Sequence, residues 1–337
     1  MVDYLRRGTL VTLQTTLEKP LIIAHRGASG YLPEHTLEAK ALAFGMGADF
    51  LEQDIVATAD DELVVLHDIY LDRVTDVAVR FPSRQRDDRR YYVRDFSLAE
   101  LRMLNVHERR HADDSAVFAR RFPTTLGRFR IATFDEELDL IEGLCRSTGR
   151  SVGIYPEIKE PAWHRKERVD ITVLVLRALE RHGYGERGDP VYLQCFDAAE
   201  LRRVRQELDS DLKLVQLVEE GGDEGTDDRR MRTAAGLRDI AVYADGIGPS
   251  FDQLYSLADI DGHPVSTGLV TAAHDAGLVV HPYPFRADVP ASGFATFDEM
   301  VDWFADTLKV DGFFTDFPDR VRDALRASKA RLALRNI

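Results

Sequence analysis

Three short apolar runs near the start of the chain each end in, or carry, residues that can do chemistry. Leu21-Ile22-Ile23-Ala24 leads into His25-Arg26-Gly27. The run at 50–56 carries Glu52 and Asp54, and Val64-Val65-Leu66 leads into His67-Asp68. A fourth run, at 152–158, contains Glu157 and is followed by Lys159. Runs of this length and composition read as buried strands. Polar groups that recur at strand ends point to a site assembled at one rim of a parallel sheet.

Further strand-like runs lie at 191–195, 212–217, 246–248, 277–281 and 312–315. Amphipathic stretches alternate with them, at 36–44, 134–145, 171–181, 198–207, 267–276 and 297–308. Strands alternating with helices predict right-handed βαβ units. With the run at 63–66 the candidates number nine, whereas a closed barrel needs eight. The link 57–62 is too short for a crossover helix, so the runs it joins cannot be an ordinary βαβ pair.

One stretch breaks the rhythm. Residues 72–130 are rich in Arg and Asp, and only 96–104 reads as a short helix. A long aperiodic segment in a regular fold is usually an insertion over one end, either shaping a site or merely solvated. A second polar loop, acidic, is expected at 221–230. No internal repeat divides the chain, and one domain over 1–337 with the insertion at about 72–130 is expected.

A formal net charge of −14 disfavours nucleic acid and anionic membranes as partners. No apolar run approaches the roughly 20 residues a membrane-spanning helix needs, so no membrane insertion is expected. Cys145 and Cys195 lack metal-site spacing and read as two buried thiols. Arg6-Arg7 is followed by neither a sustained apolar stretch nor a small-residue cleavage site. The chain reads as cytoplasmic as written, or periplasmic if a signal peptide has been removed. Oligomeric state is not legible.

The chemistry centres on acids spaced by two. Glu52 and Asp54 point to one face of their strand, as do Glu157 and Lys159 on theirs. Adjacent carboxylates repel unless a proton or cation lies between them. Oxygen donors favour a hard ion, Mg²⁺ or Ca²⁺, over zinc. His25 and His67 are candidate proton carriers. The Arg26 guanidinium suits phosphate oxygens. Three carboxylates against Arg26 and Lys159 leave a net negative site; a divalent ion makes it singly positive, fit for a phosphodiester monoanion.

Together these residues resemble the glycerophosphodiester phosphodiesterase family. The matching blocks are His25-Arg26-Gly27, Pro33-Glu34-His35-Thr36, Glu52-Gln53-Asp54, His67-Asp68, Pro156-Glu157-Ile158-Lys159 and Asp311 through Asp316. His35 and the insertion after His67 resemble the longer, periplasmic-type bacterial branch. The resemblance implies an α/β fold, a TIM (β/α)8 barrel with its site at the C-terminal rim. It implies hydrolysis of glycerophosphodiesters such as glycerophosphocholine or glycerophosphoethanolamine to glycerol 3-phosphate and an alcohol. His25 and His67 would be the catalytic acid/base pair, and Arg26 and Lys159 would bind the phosphate. Glu52, Asp54 and Glu157 would hold one divalent cation, calcium ahead of magnesium. Where many members carry a Trp-Thr-Val-Asn block this chain has His281-Pro282-Tyr283-Pro284-Phe285. Tyr283 and Phe285, with Gln194 and Phe196, are therefore the expected substrate-pocket residues. The rival readings are a lipid-directed phosphodiesterase of lysophospholipase D type and a non-catalytic surface binding protein on the same fold. The charged insertion argues against the first, and the complete set of reactive residues against the second.

Overall fold

Eight parallel strands alternate with helices in a computed structural model that describes residues 20–219, 228–258 and 262–335. In chain order they are β1 (Leu21–Ala24), β2 (Phe50–Ala57), β3 (Gly153–Ile158), β4 (Tyr192–Cys195), β5 (Lys213–Val218), β6 (Gly246–Pro249), β7 (Val279–Val280) and β8 (Gly312–Thr315). From β1 to β7 each strand pairs with the next in sequence, and β1 pairs with β8. Backbone bonds from Asp311 N to Val280 O (2.9 Å) and from Phe314 N to Pro282 O (3.1 Å) span the gap between β7 and β8. The result is the expected TIM barrel. The ninth candidate, Leu63–Val65, stands outside it. It folds back antiparallel on the end of β2, Ile55 opposite Val65, because the five linking residues can make only a hairpin. The hairpin of Tyr255–Ala258 with His263–Ser266 was not expected.

Sequence explains most helix boundaries. Thr36 caps Leu37–Gly45 by accepting from Ala39 N. Phe134–Thr148 opens with a Thr133/Glu136 capping box and stops at Gly149, in the left-handed region at φ 70°. Apolar residues from these helices and the outer strand faces form the main core. No helix among the described residues is long and apolar enough to cross a membrane. Cys195 is buried as expected, but Cys145, at the end of the Phe134/Leu138/Ile141 stripe of its helix, is only half-buried; both thiols are free.

The barrel interior follows the period of two. Leu21, Ile23, Phe50, Tyr155, Val215 and Phe314 form a separate apolar cluster inside it. Phe50 fills the space where a side chain at residue 153 would lie. A Cβ there would sit 2.2 Å from its ring, so Gly153 is the residue that fits. Continuing the inward series 21–23, 50 and 155 along each strand brings His25, then Glu52 and Asp54, then Glu157 and Lys159 to the C-terminal rim. The same alternation thus makes an apolar plug below and a polar floor above.

The insertion is not a solvated excursion. Leu71, Val74, Val77, Tyr91, Val93, Phe96, Leu101, Leu104, Val106 and Phe129 pack with Val56, Val64 and Leu66 into a second apolar core. Within the stretch expected to be helical, only Leu98–Leu101 is; short turns at Val77–Arg80 and Val93–Asp95 complete it. Residues 221–227 of the expected acidic loop, and 1–19, lie outside the described residues, while Asp228–Met231 forms one helical turn.

Candidate active site

A cavity of 560 Å³ opens at the rim, lined by His25, Arg26, Glu52, Asp54, His67, Glu157 and Lys159. Gln194, Phe196 and Tyr283 line it as well. Phe285 does not. It is buried among Phe251, Phe304 and Phe313, on the outer side of the barrel wall. Regular alternation ends at Val280, and the irregular Pro-Tyr-Pro segment after it sends residue 283 inward and 285 outward.

The loop after β1 wraps this floor. Arg26 sits at φ 59° and Gly27 at φ 88°, a tight turn that aims the Arg26 amide at the Glu52 carboxylate. A Cβ on Gly27 would meet the Ala39 carbonyl carbon at 2.9 Å. The Arg26 guanidinium lies 3.1 Å from Glu34 and 3.7 Å from Asp54. Across the floor Lys159 Nζ is 2.8 Å from Glu157 and 3.9 Å from Asp54.

Glu157 stands opposite Asp54 in the β2–β3 register and all three carboxylates are buried, while the donor atoms that lie within 4.8 Å of one another here are those of His35, Glu52 and Asp54. Burial and the Asp54 charge push Glu52 well above its ordinary range. Burial, joined by Asp54, pushes Glu157 up to about 8 against the pull of Lys159. Burial also opposes ionisation of Asp54, yet Lys159 and His35 hold it well below the usual carboxylate range. The group therefore carries fewer than three charges at neutral pH until a cation joins it. Asp54 Oδ1 is buried and accepts no hydrogen bond. That orphaned oxygen among carboxylates fits a hard divalent ion. His35, which received no role of its own from sequence, approaches the same spot, with Nε2 2.7 Å from Asp54.

Both predicted histidines face carboxylates through Nδ1. His25 lies 2.6 Å from Asp316, and His67 lies 2.6 Å from Asp68. Because a carboxylate only accepts, each Nδ1 carries the proton and each Nε2 is left as acceptor. Burial, then Arg26, lowers His25 to about 4. Burial, then Arg26 and Lys159, lowers His67 to about 3. Both rings are neutral at pH 7 in the free protein.

Asp68 and Asp316 stood in the sequence blocks without roles, and Arg109, Arg121 and Arg286 were missed. Arg109 bonds Asp68, while Arg121 and Arg286 both bond Asp316. Asp316 could have been flagged as a carboxylate just past a strand end. No signal marked the two insertion arginines among their many neighbours.

The sequence matches the glycerophosphoryl diester phosphodiesterase family over residues 25–320. A glycerophosphodiester phosphodiesterase from Haemophilus influenzae is 42% identical over 329 residues, covering 92% of this chain and 90% of its own. One from Treponema pallidum is 38% identical, covering 89% of this chain and 90% of its own. A crystal structure assigned to this family from Silicibacter pomeroyi superposes with a TM-score of 0.67 at 27% identity, over 92% of this chain and 95% of that one. Similarity of that depth, sustained along nearly the whole length of each partner, makes this chain a member of the glycerophosphoryl diester phosphodiesterase family.

Proposed function

We propose that this member of the family hydrolyses glycerophosphodiesters at the rim cavity by proton transfer between His25 and His67, with one divalent cation held by Glu52, Asp54 and Glu157. The observation that carries the reading is two carboxylate-held histidines facing one cavity with three converging acids and two cations, Arg26 and Lys159. Such a cation, when bound, would supply charge neutralisation for the phosphodiester. Calcium is the first choice, because the donors are carboxylates and the adjoining cavity has room for further oxygens. His35, within reach of the same spot, would stay a partner of Asp54 beside a hard ion and would join a softer one as a ligand.

Arg26 and Lys159 hold the non-bridging phosphate oxygens. One histidine takes the proton of the glycerol 2-hydroxyl at Nε2 as that oxygen attacks phosphorus. The other, protonated once the anionic diester beside it raises its pKa, gives its proton to the departing alcohol. The cyclic phosphate so formed is opened by water with the roles reversed, yielding glycerol 3-phosphate. The carboxylate behind each ring stabilises the imidazolium as it forms.

Turnover of glycerophosphocholine, read as glycerol 3-phosphate, tests this. His25→Ala and His67→Ala should each lower kcat by about 10²-fold or more. Near-normal kcat in either variant would remove that histidine from the mechanism.

A further inference from the structure

The barrel alone does not fix the two rings; their carboxylates must be held as well. Asp316 offers Oδ1 to His25, and its Oδ2 accepts from Arg121 at 2.7 Å and from Arg286 at 2.9 Å. Arg121 is anchored in turn by both oxygens of Asp288, at 2.8 and 3.1 Å, and by the Ser29 carbonyl at 3.2 Å. On the opposite side Asp68 offers Oδ1 to His67, and its Oδ2 accepts from Arg109 at 2.7 Å. Arg109 is gripped by both oxygens of Glu34, at 2.6 and 3.0 Å. Glu34 also accepts from Arg26, so one chain of charges joins the proposed phosphate ligand to His67.

Arg109 and Arg121 both come from the insertion, and they play the same part twice. Each fills the second oxygen of a carboxylate whose first oxygen holds a reacting histidine. We infer that the inserted segment 72–130 is a working part of the active site, supplying Arg109 and Arg121 as positioning residues that set the ring orientation and tautomer of His67 and His25; this rests on the acid–base reading above. Ordinary surface glue looks different in the same segment. Arg84 with Glu100 and Arg86 with Asp95 and Glu167 bond away from the cavity, and their side chains are 38% and 32% exposed. Those of Arg109 and Arg121 are 13% and 4% exposed.

Physically, Asp68 adjoins His67 in sequence and is free to swing outward unless its far oxygen is tied. Asp316 accepts from several donors, and losing Arg121 leaves Arg286 to pull it from one side. A displaced carboxylate no longer selects the Nδ1–H form, so the ring is free to turn or present the wrong nitrogen to substrate.

The experiment uses the full chain, with Arg109→Met and Arg121→Met, the Lys variants, and wild type, His25→Ala and His67→Ala alongside. Turnover of glycerophosphocholine is measured, and the histidine tautomers are read by ¹⁵N NMR. Each Met variant should lose kcat on the order of 100-fold with KM within about threefold of wild type. Its histidine should show mixed tautomers, and the matching Lys variant should recover part of the rate. Guanidinium ion added to Arg109→Ala or Arg121→Ala, at concentrations too low to unfold the chain, should restore turnover in the same way. Should the folded Met variants keep kcat within about twofold, or lose it with tautomers unchanged and no rescue, the arginines are structural ties only and the inference falls. Full activity of His25→Ala or His67→Ala would instead overturn the acid–base reading. The tautomer measurement still decides the positioning role in that case.

Discussion

Lys40 and Glu137 form an ion pair with neither side chain exposed. The Lys40 ammonium lies 2.6 Å from Glu137 and also donates to the Glu52 carbonyl, while Gln53 Nε2 donates to Glu137 at 2.8 Å. Replacing Lys40 by Met strands a carboxylate and a carbonyl in the barrel wall. The cost of removing one partner from a buried pair is about 3–5 kcal/mol. Burial already pushes the Glu137 carboxyl up, with Lys40 opposing it. A raised folded pKa contributes stability below the unfolded value and loses it as pH rises. Lys40→Met should therefore cost less at pH 5 than at pH 8. In Lys40→Met/Glu137→Gln the neutral amide keeps an oxygen for Gln53 and offers an N–H to the Glu52 carbonyl. The double variant should be more stable than the sum of the single losses by about 2 kcal/mol. Urea unfolding, followed both by Trp163 and Trp303 fluorescence and by far-UV circular dichroism, supplies the numbers. A loss under about 1 kcal/mol for Lys40→Met, or strict additivity in the double variant, would refute the buried-pair reasoning.

Acid should destabilise the fold through its buried histidines. His164, which accepts from Ala57 N and contacts the Glu160 carbonyl, is lowered by burial to about 4. Unfolded, it protonates near 6.5, so its contribution is present above that value and lost as pH falls toward 4. The His164→Gln variant should lose about 2 kcal/mol less than wild type between pH 7 and pH 5; equal slopes would contradict this. Calcium binding at pH 7 should release protons, because burial raises Glu52 and holds Glu157 at about 8 in the metal-free protein. Calorimetry in buffers of different ionisation enthalpy measures the release, and none at all would count against the three-carboxylate site. Chelation should likewise abolish turnover of glycerophosphocholine, with Ca²⁺ or Mg²⁺ restoring it; full activity after exhaustive chelation would exclude the metal.

Much of this architecture is legible locally. Apolar runs with polar ends located all eight barrel strands, because buried parallel strands need continuous hydrophobicity and the rim needs polar groups. Spacing by two brought Glu52, Asp54, Glu157 and Lys159 to one face without any tertiary information. The hairpin at 255–266 went unseen: its strands are four residues each, and Pro264 argues against a strand. Its Asp261-Gly262 pair was the one turn signal available. Phe285 was misplaced because the pocket aromatics were inferred from a family block that this chain does not carry, and the irregular segment after Val280 turns residue 285 to the outer side of the wall. Arg109 and Arg121 lay beyond reach for a different reason. Their partners are fixed by packing of an aperiodic segment, whose own apolar core has no helical or strand period.

Sequence distance separates the two histidines sharply. His67 finds its acid one residue away, whereas the acid for His25 lies 291 residues later, past the strand that pairs with β1. A nascent chain on the ribosome can therefore hold His25, His67 and all three acids of the floor while His25 still lacks its partner. Only when the last strand emerges and docks against the first is that ring set. A fragment cut just before residue 316 keeps all eight strands of the barrel in principle, but its first histidine is unanchored. Loss of the C-terminal end should thus silence the enzyme without touching any residue that meets the substrate.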